Sequence, residues 1–477
     1  MKFLSALRFH NEWFLWLCPA FLVTRGFVRF SASVAWQDVL LLFFEYSVWA
    51  TVLTLFFSFF LSFRKAALFS ASLVLFNAVY STVYEFSEAE KSQLFFTRFG
   101  FIAVVALLLF VVLFLYLRRT KRKLTKATRF LNVVFSMLII TEVISFGIDL
   151  TNRNRAVIET NYCPQCPTPD VYLVVTDGYA GKKQLREQFG LDNTPFEDTL
   201  RSLGFHVIDS SFSNYTSTNV SMSSVLRMDY VAIEKDVDLH ASFNPTGVTS
   251  FFKNQGYQLI NNSIFTIDGQ LPNQPTGYFK TGTVLLTQYS FIAHATYIVH
   301  NLLAASGYSV EKERVSRIQG FIRKIDLSRD SITLQNLLAT AKQKGDKPKF
   351  VYTHFLMPHA PYLFNENGQV LKDTGSLSSQ YRSYHLYTNK QLISAVRSIL
   401  QSSERPPIIL LLSDHGARTD DWQKFGRLHF SNLAAVYLPN KTYEGYYSGM
   451  SNVNQFRVLL NRQFNQQLPL LPDSTVY

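Results

Sequence analysis

Pro406–Gly416 reads PPIILLLSDHG, and this stretch decides the fold. Five consecutive apolar residues, Ile408–Leu412, form a run with the length and composition of a strand buried on both faces. It delivers Asp414 and His415 to the strand's carboxyl end, and Gly416 follows at once. Open α/β sheets carry their chemistry just beyond the carboxyl ends of their strands. A carboxylate beside an imidazole is also a pair of metal ligands. Taken alone, an Asp-His pair at a strand end is a common turn, so its meaning depends on partners elsewhere in the chain.

The surrounding sequence repeats the pattern. Strands are expected at Val171–Thr176, Phe205–Ile208, Tyr257–Ile260, Phe350–Phe355, Ile408–Leu412 and Ala434–Leu438. Helices are expected near Thr194–Leu203, Ser223–Met228, Phe251–Gly256, Ser331–Lys342 and Ser379–Leu400. Such alternation predicts a mainly parallel sheet flanked by helices.

The first third is different. The chain has 43 Phe and 15% aromatic residues, and the Phe concentrate towards its start. Apolar runs occur at Glu12–Phe27, Trp36–Phe63, Ala66–Phe86, Phe99–Leu117 and Phe130–Ile148. A bilayer is crossed by about 20 apolar residues, so a bundle of five transmembrane helices is expected. One cleavable leader does not account for four further spans. Residues 1–150 are then the transmembrane domain, 151–169 a polar, Pro-containing linker and 170–477 an α/β domain. A sixth apolar segment, Val284–Ala305, carries Gln288, His294, His300 and Asn301. It reads as an amphipathic helix at the bilayer surface, since a crossing there puts Asp177 and Asp414 on opposite sides.

Charge orients the bundle. Arg118–Arg129, RRTKRKLTKATR, holds seven basic residues and no acid, and Arg64-Lys65 joins the second and third runs. Glu85, Glu88 and Glu90 mark the opposite connection. The positive-inside rule places the basic loops and the N-terminus in the cytoplasm, and everything after about Asp149 outside. The net charge of +12 is therefore largely a topology signal, and a nucleic-acid partner is not expected. Cys163 and Cys166 fall on the outer side, where a disulfide is permitted. Cys18 lies in the first run as a packing residue.

The partners of Asp414-His415 are spread along the chain. Asp177 ends the first expected strand. Ser213–Leu226, SNYTSTNVSMSSVL, is a hydroxyl-rich loop that leads into a helix. A metal-coordinated hydroxyl there gains nucleophilicity, and a helix N-terminus favours an anionic group. THFLMPHAPY sets His354 near a strand end and His359 just beyond it. His429 precedes the last strand. Each His alone is more often structural; several acid and His positions at strand ends of one domain point to a site. Asp236 and His240 have a ligand-like Asp-x-x-x-His spacing but read as a solvated edge, and Asp268–Lys280 reads as a loop shaping the acceptor side.

With these residues in place, the chain resembles the alkaline-phosphatase/sulfatase superfamily. The resemblance is to its membrane-anchored branch, the lipid A phosphoethanolamine transferases and lipoteichoic acid synthases. It implies an N-terminal bundle of about five transmembrane helices and an alkaline-phosphatase-like α/β domain outside the membrane. It also implies a divalent metal, Zn²⁺ or Mn²⁺. Asp177, Asp414 and His415 match its metal ligands. Thr218, in Thr218-Asn219-Val220-Ser221, matches its nucleophile, which also coordinates the metal, with Thr216 and Ser221 as alternatives. His359, His429 and His354 match positions that contact the substrate phosphate or a second metal. The Pro that follows the nucleophile in the transferases is replaced by Met222-Ser223-Ser224, and the C/S-x-P-x-R motif of sulfatases is absent. The implied activity moves a phospho-headgroup from a membrane phospholipid donor to an envelope glycan or lipid acceptor through a phospho-threonine. A phosphodiesterase or phosphatase with water as acceptor is the alternative, and an inactive membrane scaffold a third. The implied location is the bacterial cytoplasmic membrane with the catalytic domain on the periplasmic side; the oligomeric state is left open.

Overall fold

The computed structural model describes residues 11–30, 34, 36–89, 99–155, 158–231, 243, 246–270, 272, 282–287, 290–305, 327–371, 376–418 and 426–476. Asp236, His240 and most of Asp268–Lys280 lie outside the described residues. The chain divides into two compact units: Met1–Asn152 with Lys280–Ile318, and Arg153–Phe279 with Gln319–Tyr477.

The helical unit opens with α1 (Phe14–Phe30), α2 (Trp36–Phe57), α3 (Phe63–Ala89), α4 (Phe99–Arg119) and α5 (Thr125–Arg155). Three of these, α2, α4 and Thr125–Ile148 of α5, are long and apolar enough to cross a membrane. Helix α1 has 17 residues and contains Pro19; α3 carries Arg64-Lys65 in its first turn and Glu85 and Glu88 near its end. The outward faces are apolar: Leu107, Leu108 and Leu109 of α4 are at least 60% exposed, as are Phe130 and Met137 outside it on α5. So much contiguous exposed hydrocarbon is the mark of a lipid-facing surface. One end of the unit is tied by polar bonds. Arg64 Nε donates to Glu12 Oε1 at 2.7 Å and its Nη1 donates to Thr125 Oγ1 at 3.0 Å. Lys65 Nζ donates to the Thr120 carbonyl at 2.6 Å. The start of α1, the α2–α3 turn and the basic α4–α5 loop therefore share one end, the arrangement that the loop charges led one to expect. Two short helices, α10 (Gly282–Thr287) and α11 (Phe291–Ala305), return to this unit. The apolar Val284–Ala305 segment is thus not one helix but two.

The α/β unit is built on six strands: β1 (Val171–Asp177), β2 (His206–Val207), β3 (Gln258–Asn262), β4 (Lys349–Pro358), β5 (Ile408–Ser413) and β6 (Ala434–Tyr437). Their order is β2-β6-β5-β1-β4-β3. Strands β5, β1, β4 and β3 are parallel, and β6 runs antiparallel to β5 and β2. The sheet is mainly parallel, with one reversed strand. Both faces are covered, which explains the continuous apolar runs. Val171, Leu173, Val175, Ile408, Leu410 and Leu412 point into one core with Phe251, Phe252 and Phe456. Tyr172, Val174, Ile409 and Leu411 point into the other with Leu200, Leu337, Val396 and Ile399. The helices concerned are α7 (Thr194–Ser202), α9 (Gly247–Asn254), α12 (327–342), α13 (Leu377–Ser402) and α14 (Gln455–Gln463).

The segment expected as a linker is partly docked. Helix α5 continues to Arg155. Beyond it, Asn161 N donates to Gln466 Oε1 at 2.8 Å and Cys163 N to Gln255 Oε1 at 3.3 Å. Cys163 and Cys166 form a disulfide, while Cys18 is free and buried.

Candidate metal centre and active site

The site forms where β1, β4 and β5 end together. Strands β1 and β5 pair in register as far as Thr176↔Ser413, so Asp177 and Asp414, one residue further on each, are brought side by side. A register shift on the other flank pairs Asp177 with Pro358. His354, from β4, completes the group: one ligand atom from each of Asp177, His354 and Asp414 lies within 4.8 Å of the others, and all three residues are buried.

The turn after β5 sets His415. Its Nδ1 lies 2.7 Å from the Gly416 carbonyl. A carbonyl only accepts, so Nδ1 carries the proton and Nε2 is left with its lone pair. That lone pair lies 3.3 Å from Asp414 Oδ2 and 3.7 Å from Asp177 Oδ1. Asp414 Oδ1 is already used, accepting from the N–H groups of Gly178 at 2.9 Å and His415 at 2.7 Å. Asp414 Oδ2 and both oxygens of Asp177 are buried, and among the described residues only the Thr218 hydroxyl comes within hydrogen-bonding reach of Asp177. Several acceptors thus converge in a dry interior, an arrangement that is costly unless a cation sits among them. Two carboxylates with imidazole nitrogens fit a divalent metal ion.

The electrostatics are consistent with this. Burial, reinforced by the charge of Asp414, pushes the Asp177 carboxyl well above the usual carboxylate range. Asp414 is equally buried, but His415, His354 and the two N–H groups outweigh that and hold it below the range. Burial lowers His415 and takes His354 down to about 4, so both imidazoles are neutral near pH 7, the form that binds metals. Tyr352 Oη lies 2.9 Å from His354 Nδ1 and holds that ring from behind.

Thr218 is the first residue of α8 (Thr218–Arg227), which starts earlier than the expected Ser223. It is buried, and its Oγ1 lies 3.3 Å from His415 Nε2. The first turn of a helix leaves backbone N–H groups without intrahelical partners, so an anion approaching Thr218 meets donors and a positive dipole end. Of the alternatives, Ser221 is one turn further on and donates its hydroxyl to the Asp414 carbonyl at 2.5 Å. Thr216 lies before the helix and is half-buried.

The other two histidines differ in exposure. His359 is half-buried just beyond β4. Its Nδ1 donates to the Ala360 carbonyl at 2.6 Å, and its Nε2 accepts from Arg418 Nη2 at 3.0 Å. Burial, with the Arg418 charge, lowers His359 to about 4. His429 is buried on a short 3-10 helix, Gly426–Phe430, and burial, with the Arg418 charge, lowers it. Arg418 was missed in the sequence. Its charge is felt at Asp177, His415, His359 and His429 alike. The only sequence signal was a cation four residues after Asp414.

A parallel sheet covered on both faces, with a buried acid and imidazole cluster beyond the ends of its central strands, is the architecture of alkaline-phosphatase-like enzymes. Residues 169–458 match the sulfatase family model, well over half of the chain, and this protein belongs to that family. Solved structures similar to it include three. One is the C-terminal periplasmic domain of EptC from Escherichia coli in complex with Zn, with 12% identity and TM-score 0.41, covering 63% of this chain and 84% of that one. Another is the corresponding domain of the phosphoethanolamine transferase EptC from Campylobacter jejuni, with 14% identity and TM-score 0.39, covering 67% and 100%. A third is an alkaline phosphatase superfamily protein from Vibrio parahaemolyticus, with 13% identity and TM-score 0.40, covering 66% and 77%. A comparison with curated protein sequences returned no match.

Proposed function

We propose that this protein is a metal-dependent phosphotransferase of the bacterial cytoplasmic membrane, with its catalytic unit on the extracytoplasmic side. It moves a phospho-headgroup, of phosphoethanolamine or phosphoglycerol type, from a membrane phospholipid to an envelope glycan or lipid acceptor. The observation that carries this reading is Thr218: a buried hydroxyl at a helix N-terminus, 3.3 Å from His415 Nε2, beside a buried cluster of carboxylate and imidazole ligand atoms.

Asp177, Asp414, His415 and His354 would hold the ion, zinc or manganese. When bound, the ion lowers the pKa of the neighbouring hydroxyl and offsets charge on the phosphoryl oxygens. Thr218 Oγ1 attacks phosphorus; the new Oγ1–P bond replaces the bond to the lipid alcohol, which leaves with a proton as diacylglycerol. An acceptor hydroxyl then displaces Thr218 and restores its hydroxyl. Arg418 and His359 lie at the open rim, placed to meet phosphoryl oxygens, with His429 behind them; positioning and electrostatics of this kind dominate phosphoryl transfer. A sulfatase reading is disfavoured, because Thr218–Met222 reads TNVSM where sulfatases carry the Cys or Ser that becomes formylglycine. The helical unit, with three membrane-crossing lengths, supports a lipid donor over a soluble one.

The test uses the full chain with phospholipid carrying a labelled headgroup phosphate. Mass spectrometry should find a covalent adduct on Thr218, absent in Thr218→Ala. An adduct that persists in that variant removes Thr218 from the mechanism. Release of diacylglycerol with the headgroup free in solution, whatever acceptor is offered, would assign a hydrolase.

A further inference from the structure

We infer that α10 and α11 form a re-entrant membrane element, a second attachment of the catalytic chain to the bilayer that does not depend on α5. The sequence offers this segment as an apolar stretch in the middle of the α/β unit, between β3 and β4. Those strands are parallel neighbours, with Gln258 opposite Lys349 and Asn262 opposite Thr353. A chain that leaves the sheet after β3 and returns to pair beside it cannot finish on the other side of a membrane. Whatever enters the bilayer between them must leave from the side it entered.

The helices have the dimensions this requires. Helix α11 has 15 residues, roughly 22 Å at 1.5 Å per residue, and α10 has only 6. Neither reaches the roughly 30 Å of a hydrocarbon core. Both nonetheless pack within the helical unit. Leu286 of α10 lies against α1, with its Cδ2 3.0 Å from where a Cβ on Gly26 would stand, so the missing side chain permits the approach. In α11, Ile292 N donates to Asn77 Oδ1 of α3 at 2.9 Å. The Phe291 ring meets Phe76 at 5.1 Å, Tyr80 at 5.4 Å and Phe99 at 5.2 Å, and His294 stacks on Phe99 at 5.0 Å. The buried faces of α10 and α11 therefore belong to the bundle. On α11's outer side, Ile292 is 64% and Val299 54% exposed. These two apolar residues extend the exposed hydrocarbon of the same unit, and the occupant argued for them is lipid acyl chain.

Two measurements test the inference, both on the full chain. First, a protease site is inserted after Arg155 and cut in detergent-free membranes, which are then washed with alkaline carbonate. The fragment carrying the catalytic unit should stay in the membrane pellet; its release into the supernatant would overturn the inference. Second, spin labels are placed at Ile292→Cys and Val299→Cys in a Cys18→Ala background, both at exposed positions that leave packing intact. Oxygen should reach the labels several-fold better than a water-soluble nickel chelate. Preferential access by the chelate would place the face in water. Low access by both reagents would mean that protein, such as a second copy, covers it; either result overturns the lipid assignment.

Discussion

Gly416 shows how much a single missing side chain supports. Its N–H donates to the His429 carbonyl at 2.8 Å. A Cβ there would stand 2.5 Å from the Ser431 carbonyl oxygen, 2.6 Å from Gln184 Oε1 and 2.8 Å from the His429 carbonyl oxygen. Two of these are backbone atoms and the third is fixed, because Gln184 accepts from Ala417 N and donates to the Ala417 carbonyl. Gly416→Ala should therefore cost about 1–3 kcal/mol through overpacking. It should also displace His415 and weaken metal binding, read together as a lower unfolding temperature and less bound metal by elemental analysis. A variant that keeps full metal content would show that the turn yields elsewhere. The Asp-His-Gly order was legible in the sequence, but the reason for the glycine was not: the atoms that exclude a side chain come from residues 184, 429 and 431.

Among the elements, α13 carries a titratable group away from the chemistry. His385 is fully buried between rings, with Tyr179 at 4.1 Å and Tyr381 at 5.6 Å, and burial lowers it to about 3. Between pH 6.5 and 3 the unfolded chain binds a proton that the folded one refuses. The stability His385 provides is complete above pH 6.5 and is lost as pH falls towards 3, by up to about 1.4 kcal/mol per pH unit. His385→Phe should keep stability near that of the wild type at pH 7 and flatten the decline on acidification, measured by thermal unfolding of the detergent-solubilised protein across this range. An unchanged slope would assign the acid sensitivity to the other buried histidines. The elements themselves followed from pattern wherever the pattern was strong. The expected strands at Val171, Phe350 and Ile408 begin within a residue of β1, β4 and β5, since a doubly buried strand needs an unbroken apolar run. Helix α8 was placed five residues late, because Thr218–Met222 has the polar composition of a loop. Its first turn is helical because Val220, Met222, Val225 and Leu226 are buried, a tertiary effect that outweighs local propensity.

For the molecule as a whole, a metal ion held by Asp177, His354 and Asp414 would make stability depend on metal. With ion at about 100 times its dissociation constant, binding adds about 2.7 kcal/mol. Chelation should lower the unfolding temperature of the wild type reversibly, with restoration on adding zinc or manganese, and should leave Asp414→Asn unaffected. Equal chelator sensitivity in that variant would place the stabilising ion elsewhere. The sequence by itself determined the class of fold, three of the five expected membrane-length helices and the acid and imidazole residues offered as metal ligands, because periodicity, charge and strand-end chemistry are local properties. It did not determine which histidine joins the carboxylates, that Arg418 reaches the same centre, or that α10 and α11 return to the helical unit. Those were decided by tertiary structure. The register of β1 against β4 and β5 brings together side chains more than 170 residues apart in sequence, and only packing partners distinguish an apolar segment that crosses a membrane from one that folds back on its own bundle.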